Sequence, residues 1–116
     1  MSYDWLTAIV NKRPETALVM HQLLLAAREK GCCTAEDAHN INVSHPNVRG
    51  AAMKLLGKCG MVKVKPVRGS TKQSHGHWLW QWGISDYNKL EDVLRCIGRM
   101  TMQMAEPVSD QYRLNI

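Results

Sequence analysis

Between Pro14 and Gly31 the apolar residues Met20, Leu23, Leu24 and Ala27 recur at helical spacing among good helix formers. Proline is tolerated in the first turn of a helix, and glycine suits the left-handed residue that closes one, so the pattern predicts a helix over 15–30. Leu23-Leu24-Leu25-Ala26-Ala27 leaves this helix little polar face, which marks it as the central scaffold. Ahead of it, Asp4 is placed to cap a short helix through Trp5, Ala8 and Ile9 that ends at the basic pair Lys12-Arg13. Behind it, Thr34-Ala35-Glu36-Asp37 reads as a helix start, a hydroxyl cap with acids in the first turn where the helix dipole favours them. Asn40-Ile41-Asn42 breaks that helix early, and Ser44 is the next capping residue, with Pro46 in the first turn that follows. Val48, Ala52, Leu55 and Cys59, with Ala51 and Leu56 alongside, then form one buried stripe on a helix over 44–58 that Gly60 ends. Arg49, Met53, Lys54 and Lys58 lie mostly off that stripe.

Past Gly60 the period falls from 3.6 to 2. In Met61–Val67, Lys63 and Lys65 are expected on one face and Val62 and Val64 on the other, while His77–Trp82 sets Trp78, Trp80 and Trp82 on a shared face. The polar stretch 68–76 joins the two runs as a hairpin with a long basic tip. Ser85 is expected to open a last helix, whose stripe is Leu90, Val93, Leu94, Ile97, Met100 or Thr101, and Met104; Pro107 is expected to stop it. The predicted fold class is α+β, mostly helical. Residues 1–84 form the main unit, 85–105 an added C-terminal helix and 106–116 a tail.

Charge changes the picture most. Between Asp37 and Asp86 there is no acidic residue, yet the interval holds seven Lys or Arg and four His. Each flank carries four basic and five acidic side chains, so the net charge of +5 resides in the middle of the chain. A Lys- and Arg-rich stripe is the electrostatic footprint of nucleic-acid binding, because neutralised phosphates release condensed counterions. At 116 residues the chain is sized for one domain. No apolar run approaches a membrane span and no secretory signal is visible at the start, so a cytoplasmic location with no membrane partner is expected.

Catalytic and metal chemistry find little support. No Ser-His-acid or Cys-His signature, Gly-rich phosphate loop or paired carboxylate is visible, so no enzymatic activity and no cofactor are expected. Cys32, Cys33, Cys59 and Cys96 lack the paired short spacing of a zinc site, and His75-Gly76-His77 is only a weak metal hint. Vicinal thiols at a helix start can acquire a depressed pKa, which leaves Cys32 and Cys33 open as redox-responsive groups.

Ile41-Asn42-Val43-Ser44-His45-Pro46-Asn47-Val48-Arg49, then Leu55, then Gly60-Met61-Val62-Lys63-Val64, resembles the recognition-helix and wing-entry pattern of bacterial winged helix-turn-helix regulators. The resemblance covers roughly residues 15–84 and implies a three-helix core with a β-hairpin wing that binds double-stranded DNA, with the third helix in the major groove. On the residues themselves, Ser44 and Asn47 at a helix N-terminus suit phosphate or base edges, and His45 can serve either. Arg49 suits a bidentate contact to guanine. Lys54 and Lys58 are better placed for the backbone. Lys63, Lys65, Arg68, Lys72 and Gln73, along the hairpin and its tip, suit an adjacent phosphate row or minor groove. Transcriptional regulation by a homodimer paired through the last helix, nucleoid-associated when bound to DNA, is the expected role. Two alternatives remain. One is a replication or recombination accessory protein without promoter specificity. The other is an interaction module that docks a protein partner through the last helix and the tryptophan strand, whose rings otherwise pack on the core or form a stacking platform for single strands.

Overall fold

The computed structural model describes residues 3–69 and 77–114, with side chains as far as Met100. Four helices and a three-stranded antiparallel sheet follow in the order α1 (Asp4–Lys12), α2 (Pro14–Lys30), β1 (Cys32–Cys33), α3 (Asn47–Leu55), β2 (Met61–Arg68), β3 (Trp78–Ile84) and α4 (Tyr87–Leu114). Short 3₁₀ turns at Ala35–Ala38 and Leu56–Cys59 precede and follow α3. The predicted α+β class, mostly helical, is what forms.

The scaffold helix takes the predicted bounds. Pro14 is its first residue, and Gly31 ends it at φ 85°, the left-handed conformation that costs glycine nothing. Thr16, Ala17, Val19, Met20, Leu23, Leu24 and Ala27 are all buried. Around them lie Leu6 and Val10 of α1, Ala52 of α3, Leu56 and Cys59 of the second 3₁₀ turn, Trp82, and Leu90, Val93, Leu94 and Ile97 of α4. Thr34 caps as expected, though the element it opens is a 3₁₀ turn: its hydroxyl accepts from the Glu36 N–H at 3.3 Å, and Asp37 accepts from the Thr34 N–H at 2.8 Å, which completes a capping box.

Four expectations need correction. Cys32 and Cys33 form not a helix start but a two-residue strand, pairing with Gly83 and Trp82, so the sheet order is β1-β3-β2. In β2 a bulge falls at Val64: Lys63 pairs with Trp82, but Lys65 pairs with Gln81. Directly paired residues share a face, so the bulge sends Lys63 and Arg68 to the tryptophan side and Lys65 to the other, against the expected alternation. Bulged Val64 lies so near Gly83 that a Cβ there would meet it at 2.9 Å. The third correction is at the last helix, where the cap is Asp86, accepting from the Lys89 N–H at 3.1 Å, while Ser85 bonds backward to Gly60. The fourth is Pro107, which does not end that helix. Its backbone is helical to Leu114, past a proline that removes only one hydrogen bond of the ladder.

Gly60 joins the two halves. Its φ is 81°, and its carbonyl accepts from the Ser85 N–H (2.8 Å), the Asp86 N–H (3.1 Å) and the Ser85 hydroxyl (3.0 Å). A Cβ at this position would lie 2.4 Å from the Asp86 carbonyl oxygen. Gly60→Ala should therefore lower stability by roughly 2 kcal/mol or more in urea unfolding, combining left-handed strain with a backbone clash. Gly50→Ala, with open space around its Cβ on an exposed helical position, should be neutral or stabilising by about 0.5–1 kcal/mol. Equal losses from the two would contradict this account of the Gly60 junction.

Candidate nucleic-acid interface

α3 lies across α2 and buries Ala52, leaving Asn47, Gly50 and Lys54 exposed along its outer line. Gly57 and Lys58 of the 3₁₀ turn extend that line. Two glycines within it make a low ridge with cations at its far end. Lys58 sits with its ammonium 5.4 Å from the Trp5 ring centroid, a cation–π contact to α1.

The ridge is flanked on both sides. On one, the junction of α1 and α2 brings Arg13 beside it: a cleft of about 620 Å³ is lined by Ile9, Arg13, Asn47, Gly50 and Lys54, among others. A second cleft of about 540 Å³ joins Lys12 and Arg13 to Asn47 and Ala51. Neither Lys12 nor Arg13 stands out in the sequence as a site residue, because helix packing alone sets them next to α3. On the other side, a groove of about 460 Å³ runs between Met53 and Lys54 of α3 and the hairpin face carrying Lys63, Trp78, Trp80 and Trp82.

The N-terminal end of α3 differs from expectation. Ser44 does not cap it. Its N–H donates to both Glu15 carboxylate oxygens at 3.1 Å, and its hydroxyl donates to Oε2 at 2.8 Å. The Ser44 hydroxyl bond, then its backbone bond, holds the Glu15 carboxyl below its ordinary value. The helix starts only at Asn47, whose N–H donates to His45 Nδ1 at 3.1 Å, while the Val48 N–H bonds the His45 carbonyl. The chain's own groups therefore occupy the position expected to take a phosphate. In neutral His45 an accepting Nδ1 leaves the proton on Nε2, which remains a donor.

Arg49 is the main correction among the site residues. It is half-buried, its Nη2 donates to the Ile41 carbonyl at 2.9 Å, and its Nε is buried without a partner among the described residues. The guanidinium straps the turn before α3 to the helix instead of reaching outward. Its charge also contributes, after desolvation, to lowering the His39 pKa.

On the hairpin, Lys63 stands over Trp80 (5.0 Å) and Trp82 (5.8 Å), and Arg68 over Trp78 (4.8 Å). Lys65 is exposed on the opposite face. Lys72 and Gln73, with His75, lie outside the described residues. Among the described residues, Arg13, Lys54, Lys58, Lys63 and Lys65 have no carboxylate within salt-bridge distance. The ion pairs form elsewhere: Arg28 with Glu91, Lys30 with Asp37, and Arg95 with Asp92. Those five cations are thus uncompensated by ion pairs among the described residues.

Burial pushes Cys33 and Cys59 up to about 12, the reverse of a depressed thiol, and all four cysteines are free. Among the described residues no group of three His, Cys, Asp or Glu side chains is gathered as a metal site, and no helix is long and apolar enough to cross a membrane. Comparison with family models, with curated proteins and with solved structures gives no match.

Two substitutions check this local geometry. Arg49→Ala should cost about 1–2 kcal/mol in chemical unfolding, as loss of a charge-assisted bond partly offset by release of a buried, unpartnered Nε. No loss of stability would mean the strap is not formed. Ser44→Ala should raise the Glu15 pKa in an NMR titration. A depressed carboxyl pKa contributes stability that is present above the unfolded value and lost as pH falls through the folded one. The variant should accordingly lose less stability than the parent on acidification through the carboxylate range.

Proposed function

We propose that the chain is a winged helix-turn-helix domain that binds double-stranded DNA through the Asn47–Lys58 ridge. The single observation that carries this reading is an acid-free convex helix face whose cations are unpaired, flanked by Arg13 on one side and a basic hairpin on the other. A major groove admits one such helix, and the flanking cations then fall on the phosphate rows either side of it. The order helix, strand, short helix, helix, hairpin supports the winged reading. In this reading Arg13, Lys54, Lys58, Lys65 and Arg68 position the duplex, while Asn47 and His45 Nε2 are the groups left to read bases.

A sequence-specific transcriptional regulator, cytoplasmic and nucleoid-associated, is the first form of this function. The inward turn of Arg49 favours a second form, an accessory protein of replication or recombination that grips the backbone with little base readout. Selection of bound sequences from a random duplex pool at two salt concentrations separates the two. An enriched motif supports the regulator, and salt-sensitive binding without enrichment supports the accessory protein. Arg13→Ala and Lys54→Ala should each flatten the slope of log affinity against log salt by about 0.9, one phosphate contact apiece. Unchanged slopes in both would remove duplex DNA from the ridge.

Homodimerisation belongs to the same proposal in altered form. Ile97 is fully buried within its own chain, so pairing through α4 must use the turns beyond Met100, where the sequence carries Met102 and Met104. Two copies joined there would present two ridges to half-sites about one helical turn apart, or a multiple of it. Sedimentation equilibrium should show a dimer that Met104→Glu converts to a folded monomer; a monomeric parent at micromolar concentration would contradict the pairing.

A further inference from the structure

The hairpin face beside α3 carries more than a duplex-binding wing uses. Trp82 is buried, 8% exposed, and anchors the sheet, but Trp80 and Trp78, further along the same face, are 47% and 63% exposed. Tryptophan brings a larger apolar surface than almost any other side chain, and two adjacent rings left in water are unusual for a surface with no further task. Both lie at alternate positions of one strand, so their attachment points are about 6.7 Å apart. Each has a cation over it, Lys63 for Trp80 and Arg68 for Trp78, which fixes the ring and lowers the cost of ordering it on binding. Across the groove, Met53 supplies an apolar wall and Lys54 another positive charge.

We propose that this groove is a second binding site, one that takes the unpaired bases of single-stranded nucleic acid by stacking on Trp78 and Trp80. Two properties of the face select this occupant. Base faces stack on exposed indoles without regard to sequence, and the phosphates between them require cations such as Lys54, Lys63 and Arg68. An apolar protein partner would have to desolvate Lys54 and Lys63, which have no carboxylate within salt-bridge distance among the described residues, and would offer them none. The interval from residue 38 to 85 contains no acidic residue to repel a strand. Lys54 and Arg68 belong to both the duplex reading and this site, but the two tryptophan rings serve the single strand alone. Together the ridge and the tryptophan face would suit a junction where one strand leaves a duplex.

The test titrates the full chain with an oligothymidylate of roughly 12 nucleotides, within the site sizes common for such platforms and unable to form a duplex. A blunt duplex is titrated in parallel, following tryptophan fluorescence and anisotropy. The oligothymidylate should bind with quenching. Joint Trp78→Ala and Trp80→Ala should weaken it at least about tenfold, while joint Trp78→Phe and Trp80→Phe, which keep a ring, should retain most of the affinity. Blunt-duplex affinity should change less than about twofold in either variant, which also reports that both remain folded. Absence of oligothymidylate binding at low salt would overturn the proposal, as would equal binding by the parent and the alanine variant. Equal loss for duplex and single strand in the alanine variant would assign the rings to the duplex interface instead. A parent dimer that the alanine variant abolishes would show the face covered by a second copy. Failure of duplex binding alone would leave this site standing and remove the ridge.

Discussion

Three elements meet at the carbonyl oxygen of Gly60. It closes the segment that carries the ridge and fixes where the hairpin returns, and through Ser85 and Asp86 it sets the first turn of α4. The left-handed conformation that presents this carbonyl is open to glycine at little cost, and the Asp86 carbonyl fills the space a side chain would need. Both the angle of the hairpin against α3 and the seat of α4 on the core follow from this junction. The basic groove between α3 and the tryptophan strand therefore depends on a backbone contact some distance from any functional side chain.

The charge arrangement follows from the same architecture. Asp37 in the turn after β1 pairs with Lys30, and Glu91 and Asp92 of α4 pair with Arg28 and Arg95. Exposed pairs of that kind contribute little stability, but they neutralise that side of the molecule. Among the described residues, Arg13, Lys54, Lys58, Lys63 and Lys65 have no such partner. Glu15 lies near the ridge, and it is engaged with Ser44.

Elements whose limits rest on local chemistry were readable from the chain. Pro14 and Gly31 bound the scaffold helix, Thr34 and Asp37 close a capping box, and Gly60 marks the change of period, because each acts through its own backbone and near neighbours. What escaped depends on distant partners. A two-residue strand has no periodicity, so β1 shows only through its pairing with β3. The Val64 bulge is set by the fit against Gly83, which a count of alternating residues cannot register. Ser44 and Glu15 lie 29 positions apart, and Arg49 turns inward to a carbonyl eight residues back. The acid-free stretch behind the candidate interface was legible in the sequence, but which of its side chains turn inward was not. Arg13 enters the interface through helix packing, while Ser44 and Arg49 leave it for structural work.

Chemical-shift mapping on addition of a blunt duplex reads every amide without altering a residue, and so locates the duplex on the ridge or away from it. The account predicts perturbations concentrated at Asn47–Lys58, at Arg13 and along the hairpin strands, diminishing as salt is raised. Perturbations centred on Arg28, Glu91 and the outer face of α4, or none at low salt, would contradict it.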